Sequence, residues 1–150
     1  MNGLDQPAAG RFEGPEHRFP LRVYFEDTDL SGVVYHANYL RYMERARSDM
    51  LRVAGIDQRA VFEAGEGAYA VASLNIRYLA PARLDDALVV VSRVVEVGAA
   101  RVAIHQTVRC AERVLAQADV VAALVAASGR PRRQPRAWID IYAKLVAQGG

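Results

Sequence analysis

Residues 24–39 read YFEDTDLSGVVYHANY, crowding Glu26, Asp27, Asp29 and His36 between two apolar stretches. Carboxylates and an imidazole at this density do one of three things. They cage a cation, they act in proton transfer or nucleophilic attack, or they bond to their own backbone in a polar turn. Asp27, Asp29, Ser31 and Gly32 fall at positions 1, 3, 5 and 6 of a calcium loop. Such a loop needs a bidentate glutamate at position 12 and a helix on each side. Position 12 is Asn38, and the segment before Asp27 reads as a strand, so the cation cage fails twice.

The carboxylates remain. Gly32 permits a tight turn, and a helical pattern begins a few residues later, which places Asp29 close to a helix N-terminus. The unpaired N–H groups and positive dipole of such a terminus favour negative charge. On the residues alone, two readings stand. Asp27 and Asp29 are turn residues bonded to local backbone, or a carboxylate and an oxyanion-binding helix terminus face one carbonyl, with His36 as a nearby donor.

Other chemistry lacks support. Gly65–Ala70, GEGAYA, satisfies a dinucleotide-type glycine pattern, but a strand follows it where a helix is required. These glycines read as a flexible entry to that strand. Neither a G-x-S-x-G elbow nor a Walker A loop is present. His105 alternates with apolar positions and reads as a satisfied structural histidine, and Cys110 as a buried structural thiol. His17 falls in an N-terminal stretch rich in Gly, Pro and Ala.

The elements that must position residues 24–39 follow from periodicity. Apolar residues at 21, 23 and 25 predict a strand. Tyr39, Met43, Ala46, Met50 and Val53 or Ala54 make one stripe of a helix over 38–54, with Asn38 as N-cap and Gly55 beyond its end. Arg45 and Asp49, four apart, can pair on its surface. After a short connector come four strand-like runs: AYAVASLNIRYLAP, ALVVVSRVVEVG, ARVAIHQTVRC and VLAQADVVAALVAAS. They are spaced too closely for crossover helices, so an antiparallel sheet is predicted. A last helix starts at Pro135 and presents Trp138, Ile141, Tyr142 and Leu145. The order predicts an α+β fold, with five antiparallel strands curved around one long helix.

Residues 1–17 are read as a loose leader and 18–150 as a single domain. With 52% hydrophobic and 24% charged residues, the composition is that of an ordinary globular protein. A net charge of +2 does not imply nucleic-acid binding, and the lack of interleaved exposed aromatics and of a basic face argues against it. One cysteine rules out an intrachain disulfide. The first residues lack the basic start and apolar run of a signal peptide, and no apolar run is long enough to span a bilayer. A cytoplasmic protein is expected. Arg130, Arg132, Arg133 and Arg136 cluster in GRPRRQPR, either a solvated loop or an anion clamp.

The stretch RVYFEDTDLSGVVYHANYLRYMERAR resembles the signature of the 4-hydroxybenzoyl-CoA thioesterase family, which has the hotdog fold. Arg22-Val23, Thr28-Asp29, Gly32-Val33-Val34 and Ala37-Asn38-Tyr39 occupy its signature positions. Glu26-Asp27, Tyr35-His36 and YMERAR are similar to the bacterial acyl-CoA thioesterase branch associated with the Tol-Pal envelope system. The likeness runs on through LNIRYLAPARLDDALVV and GRPRRQP, over about 18–136.

This resemblance implies thioester hydrolysis centred on Asp29, with His36 beside it and Asp27 without assigned chemistry. It implies an oxyanion and substrate-binding region at Gly32, Tyr35 and Asn38, and with CoA as carrier the anion clamp at Arg130, Arg132 and Arg133 would meet its phosphates. It further implies no metal or bound cofactor, CoA or an acyl-carrier protein as thioester carrier, and a dimer or tetramer with sites at subunit interfaces. Strand edges free of prolines and bulges are expected to do the pairing. The sequence departs from the branch at Leu30-Ser31, where small residues often precede the glycine, and this bears on pocket shape.

Overall fold

The computed structural model describes residues 3–149. Four of its strands, those starting at Glu16, Ala87, Arg101 and Arg113, bury side chains largely in alternation, as period-two patterning requires. The strands are β1 (Arg11–Glu13), β2 (Glu16–Arg22), β3 (Ala68–Tyr78), β4 (Ala87–Val97), β5 (Arg101–Cys110) and β6 (Arg113–Val125). They form one antiparallel sheet in the order β1-β2-β4-β5-β6-β3. Three helices accompany them: α1 (Asn38–Ala54), α2 (Gln58–Glu63) and α3 (Arg136–Gly149). α1 packs across one face of the sheet, burying Tyr39, Tyr42, Met43, Ala46 and Met50. α3 closes the end of that face, where Trp138 and Tyr142 join Met50, Leu51 and Val94.

The expected α+β arrangement around one long helix is therefore present, with six strands instead of five. The extra strand lies where a loose leader was expected. Residues 11–22 form a hairpin turned at Gly14-Pro15, and His17, Phe19 and Val23 point into the core. A histidine at an inward position hid the alternation, so the strand starts at Glu16 and not at Leu21. Phe25, read as a strand residue, is 80% exposed on a single 3-10 turn at Phe25–Asp27. Cys110 is half-buried at the rim of the core.

The apolar core is two clusters separated by a polar row. One gathers around Tyr42, Met43, Val90 and Val108, the other around Met50, Val94, Ile104 and Tyr142. Between them run His17, Ser92 and Gln106, neighbours across three strands and all fully buried. The helix answers each end of the row. Gln106 donates through Nε2 to the Met43 carbonyl (2.9 Å) and to Ser92 Oγ (3.0 Å), and accepts from Arg47 Nη1 at Oε1 (2.9 Å). His17 Nε2 meets Asp49 Oδ2 at 2.7 Å, and the Gly10 amide donates to the same oxygen (2.9 Å). A side chain at Gly10 would lie 2.4 Å from the Arg18 carbonyl, so only glycine lets the chain pass this close. Asp49 is thus buried against His17, and does not pair with Arg45 on the surface as its spacing predicted.

The geometry assigns the His17 proton. Nε2–H donates to the Asp49 carboxylate, while Nδ1 is buried with no partner among the described residues. Protonating Nδ1 would bury a donor without an acceptor, and burial lowers the pKa of His17 despite the neighbouring carboxylate. The unfolded chain therefore binds the proton first. Stability from this site is complete above the unfolded histidine pKa of about 6.5 and is lost as pH falls from there toward the lowered folded value. The melting temperature of the wild-type protein should fall as pH drops below about 6.5, and His17→Gln should lose that part of the slope. Thermal unfolding between pH 8 and 5 checks this, and parallel profiles for the two proteins would refute it.

Candidate active site

The chain leaves β2 at Val23 and must return to the start of α1, and residues 24–37 make that crossing. Asp27 ties its two ends. Its carboxylate accepts from the Tyr24 amide (2.8 Å) and from Asn38 Nδ2 (2.7 Å), and its carbonyl accepts from the Tyr35 amide (2.9 Å). Inside this clasp, Thr28 and Val34 form a bridge, and the Asp29 amide donates to the Val33 carbonyl (2.9 Å). The turn closes with the Gly32 amide donating to the Asp29 carbonyl, and Gly32 has φ +83°, a conformation glycine adopts without strain. Val34 is buried, and its amide donates to the Ala82 carbonyl, so the loop is anchored to the segment after β3.

Asp29 stands exposed at the head of this turn. Its Oδ1 accepts from the Ser31 hydroxyl and from the Ser31 amide (2.8 Å). These bonds, the hydroxyl foremost, hold the Asp29 pKa below the ordinary carboxylate value. Asp29 is therefore ionised at neutral pH. The departure at Ser31, read from the sequence as a matter of pocket shape, reaches the carboxylate itself.

Tyr35 and His36 follow, exposed, with ring centroids 4.5 Å apart. Tyr78 Oη, at the end of β3, donates to the His36 carbonyl (2.8 Å) and fixes the approach to the helix. Tyr78 was not singled out from the sequence; the only signal was an aromatic residue closing a strand ahead of Leu79-Ala80-Pro81. α1 then begins without a side-chain cap. Its N-cap is Ala37, not Asn38, because the Asn38 amide is spent on Asp27. The backbone N–H groups of His36 and Ala37 have no acceptor among the described residues.

The structure brings Asp27, Asn38, Tyr35, His36 and Tyr78 together around the helix start. It leaves the arginines elsewhere. Arg130, Arg132 and Arg133 are exposed on the segment after β6, where Pro131 bridges to Val125 and the Arg132 stem runs over Gly67. Val125 pairs with Ala68 at the start of β3, whereas Tyr78 ends that strand. At about 3.3 Å per residue, the arginines and Asp29 lie against opposite ends of β3, roughly 30 Å apart along it. His105 is satisfied across the sheet by Asp119 (2.8 Å). No helix among the described residues is long and apolar enough to cross a membrane.

Comparison with known proteins agrees with this architecture. The family model described as "Thioesterase superfamily" matches residues 31–117, from just after Asp29 into the first half of β6. Acyl-CoA thioesterase YbgC of Haemophilus influenzae is 43% identical over 107 residues, 71% of this chain and 79% of that protein. Acyl-CoA thioester hydrolase YbgC of Escherichia coli is 38% identical over 124 residues, 81% of this chain and 92% of that one. The crystal structure of a probable thioesterase from Bartonella henselae superposes with a TM-score of 0.75 at 37% identity, covering 80% of this chain and 99% of that one. With a matching family model, relatives of this identity and the same sheet around one helix, this chain belongs to the thioesterase superfamily.

Proposed function

We propose that the protein hydrolyses acyl-CoA thioesters with Asp29 as the reacting carboxylate. One observation carries the assignment. An ionised, exposed Asp29 shares a short, pinned loop with the unpaired amides of His36 and Ala37 at an uncapped helix start. An alanine N-cap costs about 1 kcal/mol relative to Ser, Asn or Asp. A local rule broken at this point leaves N–H groups and the positive end of the α1 dipole open to a developing oxyanion.

In this mechanism the two amides polarise the thioester carbonyl. Asp29 either attacks the carbonyl carbon, expelling the CoA thiolate and leaving an anhydride that water opens, or draws a proton from an attacking water. A lowered pKa keeps Asp29 anionic, the form that either route requires. His36 and Tyr35 flank the bound carbonyl, and no metal or bound cofactor enters. Asp29→Asn should lower kcat at least about a hundredfold with little change in KM, measured on a short acyl-CoA. Wild-type turnover in that variant would remove Asp29 from the reaction.

The acting unit is proposed to be a dimer or larger assembly, as the sheet edges indicate. On one side, β1 is three residues long, and Pro20 lies in the part of β2 that β1 leaves uncovered. On the other side, β3 exposes Ala70 to Ser73 in succession, with Val71 half exposed. β3 is not the bulge-free edge expected from the sequence, since its register with β6 shifts between Val71 and Ser73. It is nonetheless the long open edge. A two-fold axis normal to the sheet at its midpoint would pair it antiparallel with its copy. The arginines of one chain would then come beside the Asp29 loop of the other. Light scattering should show a dimer or a multiple of it at micromolar concentration, and a fully active monomer would count against the interfacial site.

In that pairing we propose that the arginines hold the phosphates of CoA. Such contacts bind ground and transition states alike, so Arg132→Ala and Arg133→Ala should raise KM by the equivalent of about 1–3 kcal/mol and spare kcat. The penalty should shrink with added salt, and an N-acetylcysteamine thioester, which has no phosphates, should show none. Equal losses on both substrates would show that the arginines serve folding or assembly instead.

A further inference from the structure

A second feature of α1 is absent from this mechanism. Beneath its middle, against β3 and β5, lies a cavity of about 80 Å³. Its walls include Leu51, Val71, Val102, Ile104 and Ala122, and one cation, Arg47, lines it with them. At roughly 15 Å³ for each water-sized position, it has room for about five or six heavy atoms.

Arg47 differs from the other arginines of α1. Arg41, Arg45 and Arg52 are exposed, whereas Arg47 is half-buried and held by a fully buried neutral amide, Gln106. No carboxylate oxygen lies within 4.0 Å of its guanidinium among the described residues. Glu44, one turn earlier, borders the cavity and favours the charge without closing an ion pair. Burial lowers the Arg47 pKa, yet a guanidinium stays charged at any working pH. Of its five donors one goes to Gln106. Its nitrogens not held by Gln106 reach solvent at the cavity, beside Ser48 and Gln58, and meet no other protein acceptor among the described residues. Its remaining donors suit an acceptor oxygen brought in by a ligand.

We propose that this cavity takes the acyl group of the substrate, and that Arg47 selects acyl groups carrying an oxygen acceptor at their far end, a hydroxyl or a carboxylate. The inference rests on the thioesterase reading and on the β3 pairing above. That pairing sets the cavity, which reaches the sheet edge at Ala70 and Val71, beside the end of the other copy's β3, where its Asp29 loop is anchored. Gln106 positions the guanidinium before the substrate arrives, so the contact needs no rearrangement.

The test compares hexanoyl-CoA, 6-hydroxyhexanoyl-CoA and adipoyl-CoA, matched in length and differing only at the distal end. The wild-type protein should show kcat/KM at least about tenfold higher for one of the oxygen-bearing substrates than for hexanoyl-CoA. Which of the two leads tells a hydroxyl from a carboxylate. Arg47→Met, close in volume but without donors, should bring that ratio near one whatever its absolute rates. A wild-type protein that hydrolyses hexanoyl-CoA as well as both others overturns the Arg47 assignment and leaves thioester hydrolysis standing. No hydrolysis of any thioester overturns the function on which it rests. An Arg47→Met ratio equal to the wild-type ratio, with all three rates reduced alike, shows a packing role and also overturns it. The wild-type comparison decides the matter even if the variant does not fold.

Discussion

The docking of α1 onto the sheet through buried hydrogen bonds is the constraint on which the rest of the molecule depends. Apolar burial drives the helix onto the sheet but is non-directional, and a helix with an apolar stripe can slide or rotate at modest cost. Gln106 removes that freedom. Its amide bonds to a helix carbonyl, to Arg47 and to Ser92 in one geometry, and His17 grips Asp49 at the other end of the row. Buried polar groups satisfied in this way specify one arrangement, because any shift would strand them unpaired. The two apolar clusters on either side then supply most of the burial.

Fixing the helix fixes where its N-terminus stands, and the loop before it inherits that position. Asp27 carries the link, since one carboxylate bonds to the first helical residue and to the amide of Tyr24. The two aspartates that look alike in the sequence are thus divided in labour by their surroundings. Asp27 is spent on structure. The Asp29 carboxylate faces outward and accepts from Ser31, which lowers its pKa further.

The two sheet edges bear differently on the proposed assembly. β3 is long, open and exposed on both faces over Ala70 to Ser73, whereas the opposite edge is short and carries Pro20. Within one chain the Asp29 loop and the arginines lie against the two ends of that strand. The proposed pairing would bring them together, because an antiparallel pair of identical strands juxtaposes opposite ends.

What the sequence by itself determined was local. Strand and helix periods of 2.0 and 3.6 are carried by neighbouring residues, so β3 to β6, the α1 stripe and α3 were legible, whereas the six-residue α2 falls in what read as a short connector. The 24–39 stretch stood out as a candidate site for the same reason, being contiguous, with a turn glycine and a helix start at fixed offsets. Tertiary structure decided everything that joins residues far apart in the chain. His17 looked like part of a leader and Asp49 like a surface partner of Arg45, until the hairpin and α1 brought the two together. Asn38 looked like a cap until the turn at Asp27 claimed its amide. Arg47 and Gln106 lie 59 residues apart, and neither marks a cavity until strand register and helix rotation set them face to face. Periodicity records which side of an element is apolar; which polar atom meets which is fixed only when the elements dock.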